Sequence, residues 1–137
     1  MLLYSGGQIQ KMEEEAQKMS YDICFRVKVE GTDKYADIGN CDANITWNVR
    51  DIIMKSTGLE WRNEENNGYC KDIIPHIENG LASLTKHPGM YKSLEAPNGW
   101  GTVEGVIRFF RQIIDDWRHL KRDYGPEIAN VTTFWIM

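Results

Sequence analysis

The chain has 137 residues and a net charge of −4. That length serves one domain with a core of its own, and the lack of an overall positive field speaks against direct nucleic-acid binding through phosphate neutralisation. Three cysteines, Cys24, Cys41 and Cys70, have no C-x-x-C spacing, which argues against a disulfide framework and a zinc knuckle; no apolar run is long enough to span a membrane, so a cytoplasmic location is expected.

Residues 1–19 are rich in helix formers but poor in apolar positions, and are expected to form an arm, helical or partly ordered, ahead of a single α+β domain spanning residues 20–137. From Tyr21 to Glu30 the alternation of Tyr21, Ile23, Phe25, Val27 and Val29 with polar residues predicts a half-buried strand. Gly31-Thr32-Asp33-Lys34 is a turn, and Tyr35 to Ile38 returns as a shorter strand.

Asp42 or Asn44 is placed to cap a first helix carrying Ile45, Val49, Ile52 and Ile53, with Gly58 just past its end. Leu59 to Gly68 is polar apart from Leu59 and Trp61, and predicts a surface loop. Ile73, Ile74, Ile77, Leu81 and Leu84 predict a second helix; Pro75 is tolerable there in the first turn, which puts the start near Ile74, and Asn79-Gly80 weakens the middle.

Ala96 to Gly105 is a shaped loop. Pro97 fixes a φ angle, Asn98-Gly99 is a turn dipeptide, Trp100 lies between two glycines, and Thr102 can cap the third helix. That helix is the clearest element, with an apolar stripe of Val103, Val106, Ile107, Phe110, Ile113, Ile114, Trp117 and Leu120 ending at Tyr124-Gly125-Pro126. Asn130 to Ile136 is β-branched and aromatic, hence a strand. The expected fold is an antiparallel sheet of about three strands, the N-terminal hairpin plus the C-terminal strand, packed against three helices. An arm and an apolar terminal strand are compatible with a homodimer.

Few residues carry a chemical signature. His76, His87 and His119 are scattered without metal-ligand spacing, no nucleophile elbow or papain-like cysteine context occurs, and Asp115-Asp116 and Glu64-Glu65 suit solvated faces. No metal, cofactor or catalytic residue is therefore expected. The segment around Trp100 lacks the Walker lysine and the Gly-x-Gly-x-x-Gly order, although a loop feeding a helix N-terminus suits a phosphate or carboxylate.

Three features could bind a ligand: the amides and hydroxyl of Asn44, Thr46 and Asn48; the loop residues Asn98, Trp100, Thr102 and Glu104; and Trp61-Arg62 as a stacking plane with an anion contact. Each has a purely structural alternative. The polar triplet would cap its own helix, Trp100 would plug the core with Glu104 serving the helix dipole, and Trp61-Arg62 would be a surface anchor and a solvated charge. If the loop meets the helix turn at Asn44, two helix N-termini, several amides and up to three indoles would converge on one place suited to a planar, anionic small molecule.

The pattern Asn44-x-Thr46-x-Asn48 with Asn98-Gly99-Trp100-Gly101-Thr102-x-Glu104 resembles a group of small proteins of phages and other bacterial mobile elements, over about residues 41–118. The chain has Trp47 and Val103 where the group commonly has histidine and an aromatic. The resemblance implies no particular activity but does imply a mobile-element setting, in which small acidic proteins antagonise host defences. The leading expectation is a non-enzymatic protein that sequesters a nucleotide-like ligand in a bacterial cytoplasm. The alternatives are an inhibitor that binds a host defence effector protein, comparable to an anti-CRISPR, and a nucleotide-cleaving enzyme.

Overall fold

The computed structural model describes residues 20–137; the arm expected at residues 1–19 lies outside the described residues. The central strand β1 (Ser20–Lys28) buries Tyr21, Ile23 and Phe25 on one face, as its alternation dictates. It turns into β2 (Tyr35–Asp37), its antiparallel partner, with Arg26 opposite Asp37. The same edge of β1 continues downstream. The Ile38 amide donates to the Phe25 carbonyl and the Ile23 amide to the Ala43 carbonyl, and β3 (Asn44–Thr46) pairs Thr46 with Ser20 and Asn44 with Asp22.

A 3-10 turn, Trp47–Val49, leads to α1 (Arg50–Thr57), which ends on Gly58 in the left-handed conformation at φ 72°. The chain next forms β4 (Glu65–Tyr69), α2 (Cys70–Lys86), two further 3-10 turns, α3 (Val103–Val131) and β5 (Thr133–Ile136). The sheet order is β2-β1-β5-β4, all antiparallel, with β3 paired to β1 off that path. The fold is α+β, as the periodicities imply, but the sheet has five strands where about three were expected.

The two additional strands are β3 and β4. Asn44 to Thr46 was expected to open a helix; instead the edge of β1 beyond β2 takes it up as a strand, and the helix begins at Arg50 with no side-chain cap from Asp42 or Asn44. Glu65 to Tyr69 was expected to be loop. It pairs with the otherwise open edge of β5 through a register shift between Asn66 and Tyr69, where Gly68 adopts φ 122°. Such a bulge on a polar edge strand leaves almost no apolar period to detect.

The helices cover one face of the sheet. Ile52 and Ile53 of α1, Ile74 and Ile77 of α2, and Phe110 and Ile113 of α3 are buried against Phe25, Phe134 and Ile136. Helix α2 starts earlier than expected, at Cys70, whose amide donates to the Thr132 carbonyl (3.0 Å), so Pro75 lies inside the helix rather than in its first turn. Gly80, which looked like a weak point, is where the helices cross: a Cβ there would stand 2.9 Å from Thr57 Cγ2 and 3.2 Å from Phe110 Cε2. Helix α3 breaks at Gly125 (φ 83°), where the apolar stripe runs out, and Pro126 restarts a short final stretch that delivers β5.

Trp61 is a core residue, 7% exposed, with its ring edge-on to Tyr21 (5.5 Å) and beside Phe109 and Phe134. It neither anchors the surface nor offers a stacking plane. No helix among the described residues is long and apolar enough to cross a membrane.

Candidate functional site

The loop around Trp100 and the segment at Asn44 do meet. Thr46 donates its hydroxyl hydrogen to the Trp100 carbonyl oxygen (2.9 Å), fastening β3 to the loop across 54 residues of sequence. Gly101 makes the approach possible, since a Cβ there would stand 2.8 Å from Val49 Cγ1 and 3.4 Å from Asn48 Cβ. The loop also holds itself: Asn98 Oδ1 accepts the Trp100 amide (3.0 Å), and Gly99 turns with φ 76°.

Between β3, this loop and the first turns of α3 lies an open cleft of about 590 Å³. Its walls include Asn44, Thr46, Trp100 and Thr102, and also Asp42, which the sequence offered only as a helix cap, and Arg108 and Gln112, which it did not single out. Gly105, Arg108, Phe109 and Gln112 follow i, i+3, i+4, i+7 spacing from the capped end of α3, and therefore share the face turned to β3. Larger depressions lie under the β1–β2 hairpin (about 750 Å³) and between α2 and α3 (about 840 Å³), but neither includes β3 or the Trp100 loop.

Within the cleft, Trp100 is half-buried, leaving part of its indole to solvent. Arg108 and Asp42 are exposed, and neither forms an ion pair with another described residue. The Asn44 amide is engaged below, donating to the Asp22 carboxylate and the Ser20 hydroxyl. Gln112 donates to Asp116 Oδ1 (2.8 Å), a carboxyl whose pKa burial raises from its ordinary value.

The N-terminus of α3 is not an open anion site. The Val103 amide donates to Glu95 Oε1 (3.1 Å), and the Gly105 amide to the capping Thr102 Oγ1 (3.0 Å). The Glu104 carboxylate is held below its ordinary pKa first by its own backbone amide and then by Lys92, whose ammonium lies 3.4 Å away. Two carboxylates and a hydroxyl thus occupy the first-turn amides that the sequence had offered to a ligand. Nor do two helix N-termini converge, because Asn44 belongs to a strand.

The remaining sequence candidates lie elsewhere. Arg62 pairs with Glu65 (3.3 Å) and donates to the Asn66 carbonyl (3.0 Å), bracing the turn into β4. Glu104 faces Lys92 rather than the cleft, and Asn98 acts by shaping the loop. Burial pushes the Cys41 thiol up to about 12 and raises Cys24 and Cys70 as well, so all three are protonated at neutral pH. Among the described residues no group of three His, Cys, Asp or Glu side chains is arranged to hold a metal ion. Comparison with protein-family models, curated proteins and solved structures finds no match for the chain.

Proposed function

We propose that the protein is a non-enzymatic binding protein that holds a small, planar, nucleotide-like ligand between β3 and the Trp100 loop. The observation that carries this reading is the Thr46 to Trp100 tie, which brings two polar segments distant in sequence together around an open cleft. A ring would lie against the exposed part of the Trp100 indole, an anionic group would face Arg108, and an exocyclic amine would face Asp42. Because the first-turn amides of α3 are already satisfied, the site suits a ligand with one or two negative charges better than a polyphosphate. The mobile-element setting that the sequence pattern implies supplies the role: sequestration of a nucleotide signal used by host defence.

Calorimetric titration with nucleoside monophosphates, nucleoside triphosphates and cyclic nucleotides tests the reading. Saturable heat is expected from monophosphates or cyclic nucleotides, abolished by Trp100→Ala and weakened about tenfold by Arg108→Gln. Absence of heat across the panel, or unchanged binding by Trp100→Ala, contradicts it.

A further inference from the structure

The arginines of the described chain fall into two groups. Arg26, Arg50, Arg62 and Arg122 each form an ion pair, with Asp37, Glu60, Glu65 and Asp123 respectively. Arg108, Arg111 and Arg118 form none with any described residue, and all three line the groove between α2 and α3. Arg111 and Arg118 are seven residues apart on one straight helix, so they share a face and stand about 10 Å apart along its axis.

The apolar floor of this groove is small: half-buried Leu81 and exposed Ala82 of α2, with Ile114 of α3, which is only 6% exposed. Two carboxylates also border it. Glu78 belongs to the α2 rim, and Asp115, between Arg111 and Arg118 on α3, has its Oδ2 3.7 Å from His119 Nδ1. The α3 side therefore carries three guanidinium groups and one carboxylate, Asp115, and the α2 side one carboxylate, Glu78, so the excess positive charge lies on α3.

We infer that the α2–α3 groove docks an amphipathic acidic helix of a partner protein, its apolar face on Leu81 and Ala82 and its carboxylates on Arg111 and Arg118. A groove between two packed helices receives a third helix by ordinary ridge-and-groove packing, and a planar guanidinium pairs a carboxylate with two parallel hydrogen bonds. Glu78 repels acids on the opposite rim and so fixes which way the partner's acidic side faces. A phosphate backbone would satisfy the arginines but leave the apolar floor uncovered, and the chain's net charge of −4 works against it. This surface is separate from the Trp100 cleft except at Arg108 and Gln112, which border both.

Fluorescence anisotropy on the full-length protein tests the inference with three labelled probes. One is a synthetic helical peptide with leucines on one face and glutamates at i and i+7 beside them; the second is the same peptide with lysines for glutamates; the third is a single-stranded oligonucleotide. The glutamate peptide is expected to bind, to weaken with added salt, and to lose about tenfold or more in affinity to R111E/R118E. The lysine peptide is expected to bind R111E/R118E in preference to the wild type, a rescue that a merely structural role of these arginines would not produce. R111K/R118K, which keeps the charge and perturbs the fold less, is expected to retain part of the binding. No binding of the glutamate peptide to the wild type overturns the inference, as does equal binding by R111E/R118E. Tighter binding of the oligonucleotide, displacing the peptide, overturns it in favour of a polyanion site.

Discussion

Two glycines two positions apart in the Trp100 loop both have positive φ, 76° at Gly99 and 156° at Gly101, and Gly101 adds steric exclusion to backbone strain. At Gly99 a Cβ would meet nothing within 4 Å, but φ is 76°, so Gly99→Ala is expected to cost about 1–2 kcal/mol through the left-handed conformation alone. At Gly101 the Cβ would press Val49 Cγ1 at 2.8 Å, and Gly101→Ala is expected to cost about 1–3 kcal/mol and to loosen the loop from β3. Urea unfolding of both variants measures the costs. Trp100 fluorescence distinguishes them, isolated by replacing the other tryptophans with phenylalanine where this is tolerated: a red shift in Gly101→Ala and little change in Gly99→Ala is the expected pattern. Thr46→Val removes the hydroxyl that donates to the Trp100 carbonyl at nearly constant shape and should cost about 1 kcal/mol.

The thiols supply a pH dependence at the same scale. Burial raises Cys41 from 9.0 to about 12, and Cys24 and Cys70 are also raised by burial. Above pH 9 the unfolded chain therefore releases protons that the folded chain still holds, and stability falls as pH rises. The contribution is fully present below about pH 9 and is lost progressively towards pH 12. Cys41→Ala is expected to flatten part of that alkaline decline, as followed by urea unfolding at a series of pH values; an unchanged slope would show that Cys41 is not the source.

Gly80 shows why helix propensity misleads at the level of elements. Alanine is favoured over glycine inside a helix by about 1 kcal/mol, yet here its methyl would enter the crossing with α1 and α3, 2.9 Å from Thr57 Cγ2 and 3.3 Å from the Ser56 carbonyl carbon. Gly80→Ala is expected to lower stability by about 1–3 kcal/mol, and a rise in melting temperature would contradict the close crossing. The elements that announced themselves in the sequence were those whose buried face repeats: β1 with period two, and α3 with eight apolar positions on one stripe. Those that did not were decided by partners far away in the chain. Asn44-Ile45-Thr46 suits a helix cap as well as a strand, and only the vacant edge beside Ser20 to Asp22 selects the strand. Glu65 to Tyr69 is too polar to look like a strand, and pairs because β5 otherwise has an open edge. Trp61 lies in a polar stretch, but the aromatic cluster of Tyr21, Phe109 and Phe134 draws it inward.

For the molecule as a whole, the helices occupy one face of the sheet and the long α3 connects two surfaces. Its first turns form one wall of the Trp100 cleft, and Arg111 and Arg118 further along border the groove with α2. The meeting of the loop with the segment at Asn44 was posed by the sequence as a condition, since both segments carry polar groups and turn residues that also have structural uses. Arg108 and Asp42 were not legible, because a charged residue on the polar side of a helix or beside a strand looks the same whether it faces bulk water or a cleft. Separate charges around one indole, together with the occupied amides at the start of α3, define the chemistry proposed for the site.

The most direct test is an amide-resolved NMR titration of the full-length protein with a nucleoside monophosphate and a cyclic nucleotide, in the wild type and in Arg108→Gln. Saturable shifts confined to residues 42–48 and 98–112 are expected with at least one of these ligands, and about tenfold weaker binding in the variant. Shifts centred elsewhere, or no shifts with either ligand up to about millimolar concentration, would contradict it.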